Sequence, residues 1–194
     1  MDGTPYLSNA GAFLIQTLFG FYILLVMLRF LLQWVRADFY NPLVQFLVRL
    51  TNPPLVPLRR LVPGLLGLDM AAVVLMVALQ LIELLLLLAL DGRSASPGGL
   101  LVLSLAELLG LLVTVYFWGI IVQAVMSWIN PDPRHPLLSL LWQLTAPLLR
   151  PARRLLPPVV GIDLSPILVL IALQLLNLLL VAPLRDAGYA LLGA

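Results

Sequence analysis

Cysteine and lysine are both missing from this 194-residue chain, and charged side chains of any kind reach only 10%. Without a thiol, disulfides, thiolate catalysis, iron–sulfur ligation and covalent haem attachment to this chain are excluded. All eleven basic residues are arginines, set against nine acids for a formal net charge of +2. That is too small for the electrostatic footprint of a nucleic-acid binder, and no direct nucleic-acid contact is predicted. The single histidine, His135, stands directly before Pro136, where a helix-cap environment accounts for it. No group of His, Asp and Glu has metal-ligand spacing, and no glycine-rich phosphate loop follows a strand pattern. Ser104 and Ser127 have no base near them in sequence. The chain therefore reads as a non-enzyme with no catalytic, cofactor or metal residues.

What is abundant is apolar. Hydrophobic residues make up 62% of the chain and mean hydropathy is +1.08, against about 45–50% apolar residues in soluble domains. Four stretches meet the roughly 20-residue length needed to cross a bilayer: Gly11 to Val35, Asp69 to Leu90, Gly99 to Ile129, and Leu164 to Pro183. The first follows an N-terminus without the basic region of a signal peptide, so it is read as a retained span. The predicted class is an all-α membrane protein.

Two copies of one pattern, 94 residues apart, divide the chain into repeats at 1–94 and 95–194. Trp34 aligns with Trp128, Thr51 with Thr145, Pro53 with Pro147 and Pro57 with Pro151. Arg59-Arg60 then aligns with Arg153-Arg154, Pro63 with Pro157, Gly67 with Gly161, and Asp69 with Asp163. About 19 of the 47 positions from Trp34 to Gln80 are identical, which marks duplicated structural units. Two spans per unit return each copy to the same side, so the copies are predicted to run parallel rather than inverted. The loop inside the first copy holds Arg36, Arg49, Arg59 and Arg60; its counterpart holds Arg134, Arg150, Arg153 and Arg154. Only Arg93 and Arg185 fall on the other side, so both loops are expected in the cytoplasm and both termini opposite.

Each repeated loop opens on a short helix with proline at its first position, after Asn41 and His135. Polar residues Gln45 and Arg49 lie four apart on one face, as an interfacial amphipathic helix requires. The prolines that follow, Pro53, Pro54, Pro57 and Pro63 in one copy and Pro147, Pro151, Pro157 and Pro158 in the other, are expected to stop it. The segment then lies at headgroup level or re-enters the membrane. Thr51 and Thr145 are predicted to bond backbone freed by those prolines. Two readings stand for the charged residues. Arg59 or Arg60 with Asp69, and Arg153 or Arg154 with Asp163, form clamps between loop and span. Alternatively the arginines face anionic headgroups while each aspartate caps a helix.

Inside the spans lie Glu83 and Glu107, each about eight residues and hence about 12 Å from the outer boundary. No arginine is expected at that depth, so two meeting carboxyls would leave at least one protonated. They are either a proton or cation site or a pair of interhelical hydrogen bonds. Glu83 aligns with Asn177 and Glu107 with Phe13, so the duplication does not repeat the acids. Gln80 and Gln174, present in both copies, read as interhelical contacts.

The run Ser127-Trp128-Ile129-Asn130-Pro131, then Thr145, Pro147, Pro151, Arg153-Arg154 and Pro157, then Gly161, Asp163 and Ser165-Pro166 resembles the signature of the YggT family, called YlmG in Gram-positive bacteria and plastids. The first copy departs from it at Gln33 and at Met70-Ala71-Ala72, where the pattern has the serine before Trp and the Ser-Pro pair. The resemblance implies a multi-pass inner-membrane protein, with relatives tied to osmotic or envelope stress, cell division, plastid nucleoid distribution and haem attachment to a b-type cytochrome. It supplies no catalytic residue. The function expected is a scaffold or assembly factor docking a membrane-protein partner or anionic lipid at the cytoplasmic face. The rival is a small ion channel or transporter working as a homo-oligomer.

Overall fold

The computed structural model describes residues 4–65, 67–92, 96–129, 135–155 and 163–193. They form helices α1 (Thr4–Trp34), α2 (Pro42–Leu61), α3 (Met70–Leu90), α4 (Pro97–Ile129), α5 (Pro136–Leu155), α6 (Ser165–Leu176) and α7 (Ala182–Leu192). A five-residue π turn, Asn177–Val181, joins α6 to α7. Four helical segments are long and apolar enough to cross a membrane: Tyr6–Trp34, Met70–Leu90, Pro97–Met126 and Ser165–Leu192. The chain is an all-α membrane protein with two spans and one intervening helix in each repeat.

The fourth span corrects the sequence reading, which ended it at Pro183. Proline lacks the N–H that an α-helix needs at residue 183, but it sits at an early position of α7 where that loss is tolerated. The π turn supplies the junction, with the Ala182 N–H donating to Asn177 O. Helical backbone thus continues to Leu192 and carries Arg185 with it.

A second correction concerns the prolines of the repeated loop. They do not stop the helix: α2 runs through Pro53, Pro54 and Pro57, and α5 through Pro147 and Pro151. Pro53, Pro57, Pro147 and Pro151 are exposed, so most carbonyls they orphan point away from the core and can be solvated. The opposite faces are held by packing, through buried Val44, Leu47, Thr51 and Leu55 in α2 and Leu140, Leu144, Thr145 and Leu149 in α5. Pro54 would orphan the carbonyl of Leu50, which instead accepts the Tyr22 hydroxyl of α1 at 3.3 Å. Burying one face of an amphipathic helix outweighs local proline chemistry here.

The core lies where α1, α2, α3, α4 and α5 converge, with Ile23, Val26, Leu31, Leu55, Ala71, Ala72 and Ile120 almost fully buried. Helix α4 packs on α7, α6 and α5, while α1 packs on α3 and α2. Contacts of α3 with α4, α1 with α5 and α2 with α5 join the copies. The α4–α7 seam is close because it uses glycine. A Cβ on Gly99 would meet backbone of Leu191 and Leu192 within 3 Å, and one on Gly188 would meet Leu103 at 3.0 Å.

Helix α1 has 31 residues and α4 has 33, so each is about 45–50 Å long against a hydrocarbon core of about 30 Å. Their ends must emerge, and α2 and α5 lean on the emergent C-terminal ends. Helix α1 ends in a Schellman turn, with Ala37 N–H to Leu32 O at 2.8 Å and Arg36 N–H to Gln33 O at 3.1 Å. Its left-handed position, usually glycine, is Arg36 at φ 54°, a conformation costing an L-residue roughly 1–2 kcal/mol. Trp34, at the last helical position, is exposed.

Candidate functional site

Each copy places an arginine of α2 or α5 against the aspartate that precedes the next span. Arg59 Nη2 lies 2.5 Å from Asp69 Oδ2, with Nε at 3.5 Å from Oδ1. Arg153 Nε lies 2.9 Å from Asp163 Oδ2. Of each arginine pair the first residue meets the acid; Arg60 and Arg154 are exposed. The clamp and the cap are not exclusive, because Asp69 Oδ1 also accepts the Ala72 N–H at 3.4 Å. Asp163 accepts the Ser165 N–H at 2.9 Å. Burial alone would push the Asp163 carboxyl up, but bonding to Ser165 and the Arg153 guanidinium together hold it below the usual aspartate value.

Chain geometry around the clamps follows from the turn chemistry. Past α2 and Pro63, Leu65 and Leu68 bond each other reciprocally, at 3.2 and 2.8 Å. Gly67 between them takes φ 81°, which only glycine adopts freely. Pro157 and Gly161 lie outside the described residues, as does the Trp128 side chain. Ser165 is buried at the start of α6 and Pro166 follows at an N-terminal helix position.

Thr51 and Thr145 are fully buried, and their hydroxyls do not go where the sequence reading sent them. Each donates to the carbonyl four residues back in its own helix, Leu47 at 2.6 Å and Leu141 at 2.8 Å. Their oxygens face the preceding span. In the first copy Arg29 Nη1 donates to Thr51 Oγ1 at 2.7 Å and to Val48 O at 3.2 Å. In the second, the equivalent position is Gln123, whose carboxamide is hydrogen-bonded to Thr145 Oγ1. The carboxamide atom facing the hydroxyl is Oε1, which accepts, so the single hydroxyl proton is shared between Gln123 Oε1 and Leu141 O. Sequence reasoning missed this pair. The signal that would have found it is the 94-residue offset applied to Arg29 itself.

A third cluster lies between the spans. A cavity of about 410 Å³ is lined by Gln80, Glu83, Glu107, Asn177 and Arg185. The acids do share one site, but the expected absence of arginine is overturned. Arg185 holds Glu107 in a fork, Nε to Oε1 at 2.7 Å and Nη2 to Oε2 at 3.0 Å. The extended fourth span brings it there, past Gly110, where a Cβ would lie 3.3 Å from Arg185 Nη2. The fork engages Glu107 alone, and no arginine bonds Glu83 among the described residues. Glu83 instead accepts from Gln80 Nε2 at 3.1 Å within α3, so Gln80 bonds along its helix rather than between helices. Gln174 is exposed and does not line the cavity.

The two copies are also tied to each other at the same end. Asn41 caps α2 through Leu43 N–H and donates to Pro136 O at 2.9 Å, and Asp38 N–H donates to Gln143 Oε1 at 3.2 Å. Helices α2 and α5 thereby form one paired platform.

The model of the CCB3/YggT family matches the sequence twice, over residues 8–90 and 102–184. An uncharacterized protein of Pseudomonas aeruginosa is 44% identical over 179 residues, covering 90% of each chain. An uncharacterized protein of Vibrio alginolyticus is 38% identical over 89% of this chain and 94% of its own. The uncharacterized protein YggT of Escherichia coli is 37% identical over 95% of this chain and 96% of its own. No solved structure matches the chain.

Proposed function

The chain belongs to the CCB3/YggT family, and on that premise we propose that it is a non-enzymatic scaffold of the inner membrane. It acts as an assembly or stress factor that docks a membrane-protein partner on a platform seated among anionic headgroups at the cytoplasmic face. One observation carries this reading. Helices α2 and α5 are fixed to the spans by Arg59–Asp69 and Arg153–Asp163, which leaves Arg60, Arg154, Phe46 and Trp142 exposed on a rigid surface. A preorganised amphipathic face loses little ordering entropy on docking, and exposed arginines beside aromatics suit headgroups and protein partners alike. The excess of arginine in the two repeat loops supports a cytoplasmic placement.

Because the chain has no cysteine, single cysteines at positions 60 and 154 report sidedness without background. Both should label from the cytoplasm in inverted vesicles and resist impermeant reagents in intact cells. A photo-crosslinker at Phe46 or Trp142 should give a discrete saturable adduct in native membranes, lost in Arg60→Glu/Arg154→Glu. Labelling from outside, or an adduct indifferent to the charge reversal, would overturn the proposal.

The cavity at Glu83 favours a second reading, a small ion conductor linked to osmotic stress and working as an oligomer. A buried carboxyl without a cation partner among the described residues is a default functional hypothesis within a span. Ion flux in proteoliposomes abolished by Glu83→Gln would support it over the scaffold.

A further inference from the structure

We propose that the cavity between the C-terminal end of α1 and helix α2 binds one phosphate group, carried by an anionic phospholipid headgroup or as free phosphate. The site shares with the scaffold reading only the placement of α2 at headgroup level, and it needs no protein partner.

The cavity measures about 490 Å³ and is lined by Arg29, Arg36 and Arg59 with the amides of Gln33 and Asn52. Asp69 is the sole carboxylate ion-paired to these arginines among the described residues, and Arg59 already engages it. Three guanidiniums against one carboxylate leave an excess of two positive charges. Arg29 is the telling member, because it is only 7% exposed. Its two hydrogen bonds both use Nη1, on Val48 O and Thr51 Oγ1; Nε and Nη2 meet no acceptor among the described residues. A guanidinium this enclosed, with no carboxylate bonded to it and two nitrogens turned to the cavity it lines, is short of acceptors. A tetrahedral oxyanion supplies acceptors for several such donors at once, with the fork geometry arginine matches.

Position agrees with chemistry. Arg29 lies five residues before Trp34, about 7–8 Å along the axis, in a helix long enough to emerge from the hydrocarbon. Apolar walls from Leu32, Val44 and Leu47 flank the guanidiniums, so acyl chain and headgroup would each meet a matching surface. Arg36 points to the same use, since the chain tolerates a left-handed arginine where glycine is usual.

The second copy is an internal control. Gln123 stands for Arg29 and Asn130 for Arg36. The described residues at the equivalent place line a cavity of about 300 Å³. Trp142, in place of Val48, lies with its ring 5.7 Å from the Arg153 guanidinium carbon, and Arg150 joins where the first copy has Val56. Among the described residues both pockets hold arginines, three in the first and two in the second, but only the first has one on the preceding span.

The test uses the full chain in phosphatidylcholine nanodiscs, titrated with phosphatidylglycerol and, in a separate arm, with inorganic phosphate against chloride at equal ionic strength. Native mass spectrometry should retain one phosphatidylglycerol per chain. Arg29→Gln/Arg36→Asn, which installs the second copy's residues, should weaken that retention by at least about tenfold, the loss of a charge-assisted contact or more. Arg49→Gln, at an exposed arginine of α2 that does not line the cavity, should leave it within about twofold. Thermal protection by inorganic phosphate but not by phosphatidylglycerol would assign the site to a soluble anion and still support it. Wild-type protein with neither response would overturn the proposal, as would equal retention in the double variant or equal loss in the Arg49 control. If the double variant fails to fold, Arg36→Asn alone alters an exposed side chain outside the span, and unchanged retention there overturns the proposal as well.

Discussion

The first repeat fixes its amphipathic helix with charge and the second fixes the matching helix with a neutral amide. Arg29 reaches Thr51 in one, Gln123 reaches Thr145 in the other, and the two hydroxyls back-bond their own helices alike. The clamps differ in the same sense. The Asp69 side chain is 5% exposed and that of Asp163 is 36% exposed. The geometry of the repeat therefore needs a side chain that hydrogen-bonds the threonine hydroxyl at position 29 or 123, not a cation. A cation retained in the drier copy costs desolvation without improving the fold, which is why its presence points to a ligand.

Reciprocal exchange is the sharpest way to break that comparison. Gln123→Arg should destabilise the protein by several kcal/mol, because it buries a charge where the opposing threonine has no anion to share. Arg29→Gln should stay within about 1 kcal/mol in phosphatidylcholine nanodiscs, since an amide already serves the equivalent role. Thermal unfolding of the two variants measures both. Equal and large losses would show that Arg29 is structural, and the asymmetry would then have another origin.

Clamp removal ranks next. Asp69→Ala strips the buried partner of Arg59 together with a helix cap and should cost about 2–3 kcal/mol, discounted because the Arg59 end is partly exposed. Asp163→Ala should cost under about 1 kcal/mol. Below these come the hydroxyls. Thr51→Val removes an acceptor of a charged donor, worth about 1.5–3 kcal/mol, whereas Thr145→Val removes a neutral bond worth about 0.5–1.5 kcal/mol. A reversed order in either pair would mean that the second copy is the better-packed one.

Much of this was legible in the residues because the repeat is written twice. Span number and the aspartate of each clamp follow from hydropathy and the 94-residue offset, whereas which arginine of each pair closes on it does not. What escaped depended on tertiary context. Pro53 and Pro57 read locally as stops, and only the buried face from Val44 to Leu55 overrides them. Pro183 likewise read as the end of a span, because a π turn has no sequence mark, and that error hid the Arg185–Glu107 fork. Gln174 was taken with Gln80 on repetition alone, yet the copies bury different faces there.

The smallest expected effect concerns acid, and it isolates the exposed clamp. The Asp163 carboxyl is held below its ordinary value in the folded state by Ser165 and Arg153, against the opposing effect of burial. A group depressed on folding binds fewer protons folded than unfolded, so its contribution is complete above the unfolded value near 3.8. It fades as pH drops below that value and is gone once pH passes the lower folded value. With more than a third of the carboxylate exposed, solvent screening holds the contribution to a few tenths of a kcal/mol. The difference in unfolding temperature between wild type and Asp163→Asn should therefore be constant from pH 7 to about 5 and shrink below about 4. Arg153→Gln should flatten the same curve, because it removes the cation that the ionised carboxylate faces. A difference that grows on acidification would mean that Asp163 is neutral in the folded protein, and the second clamp would be a hydrogen bond alone.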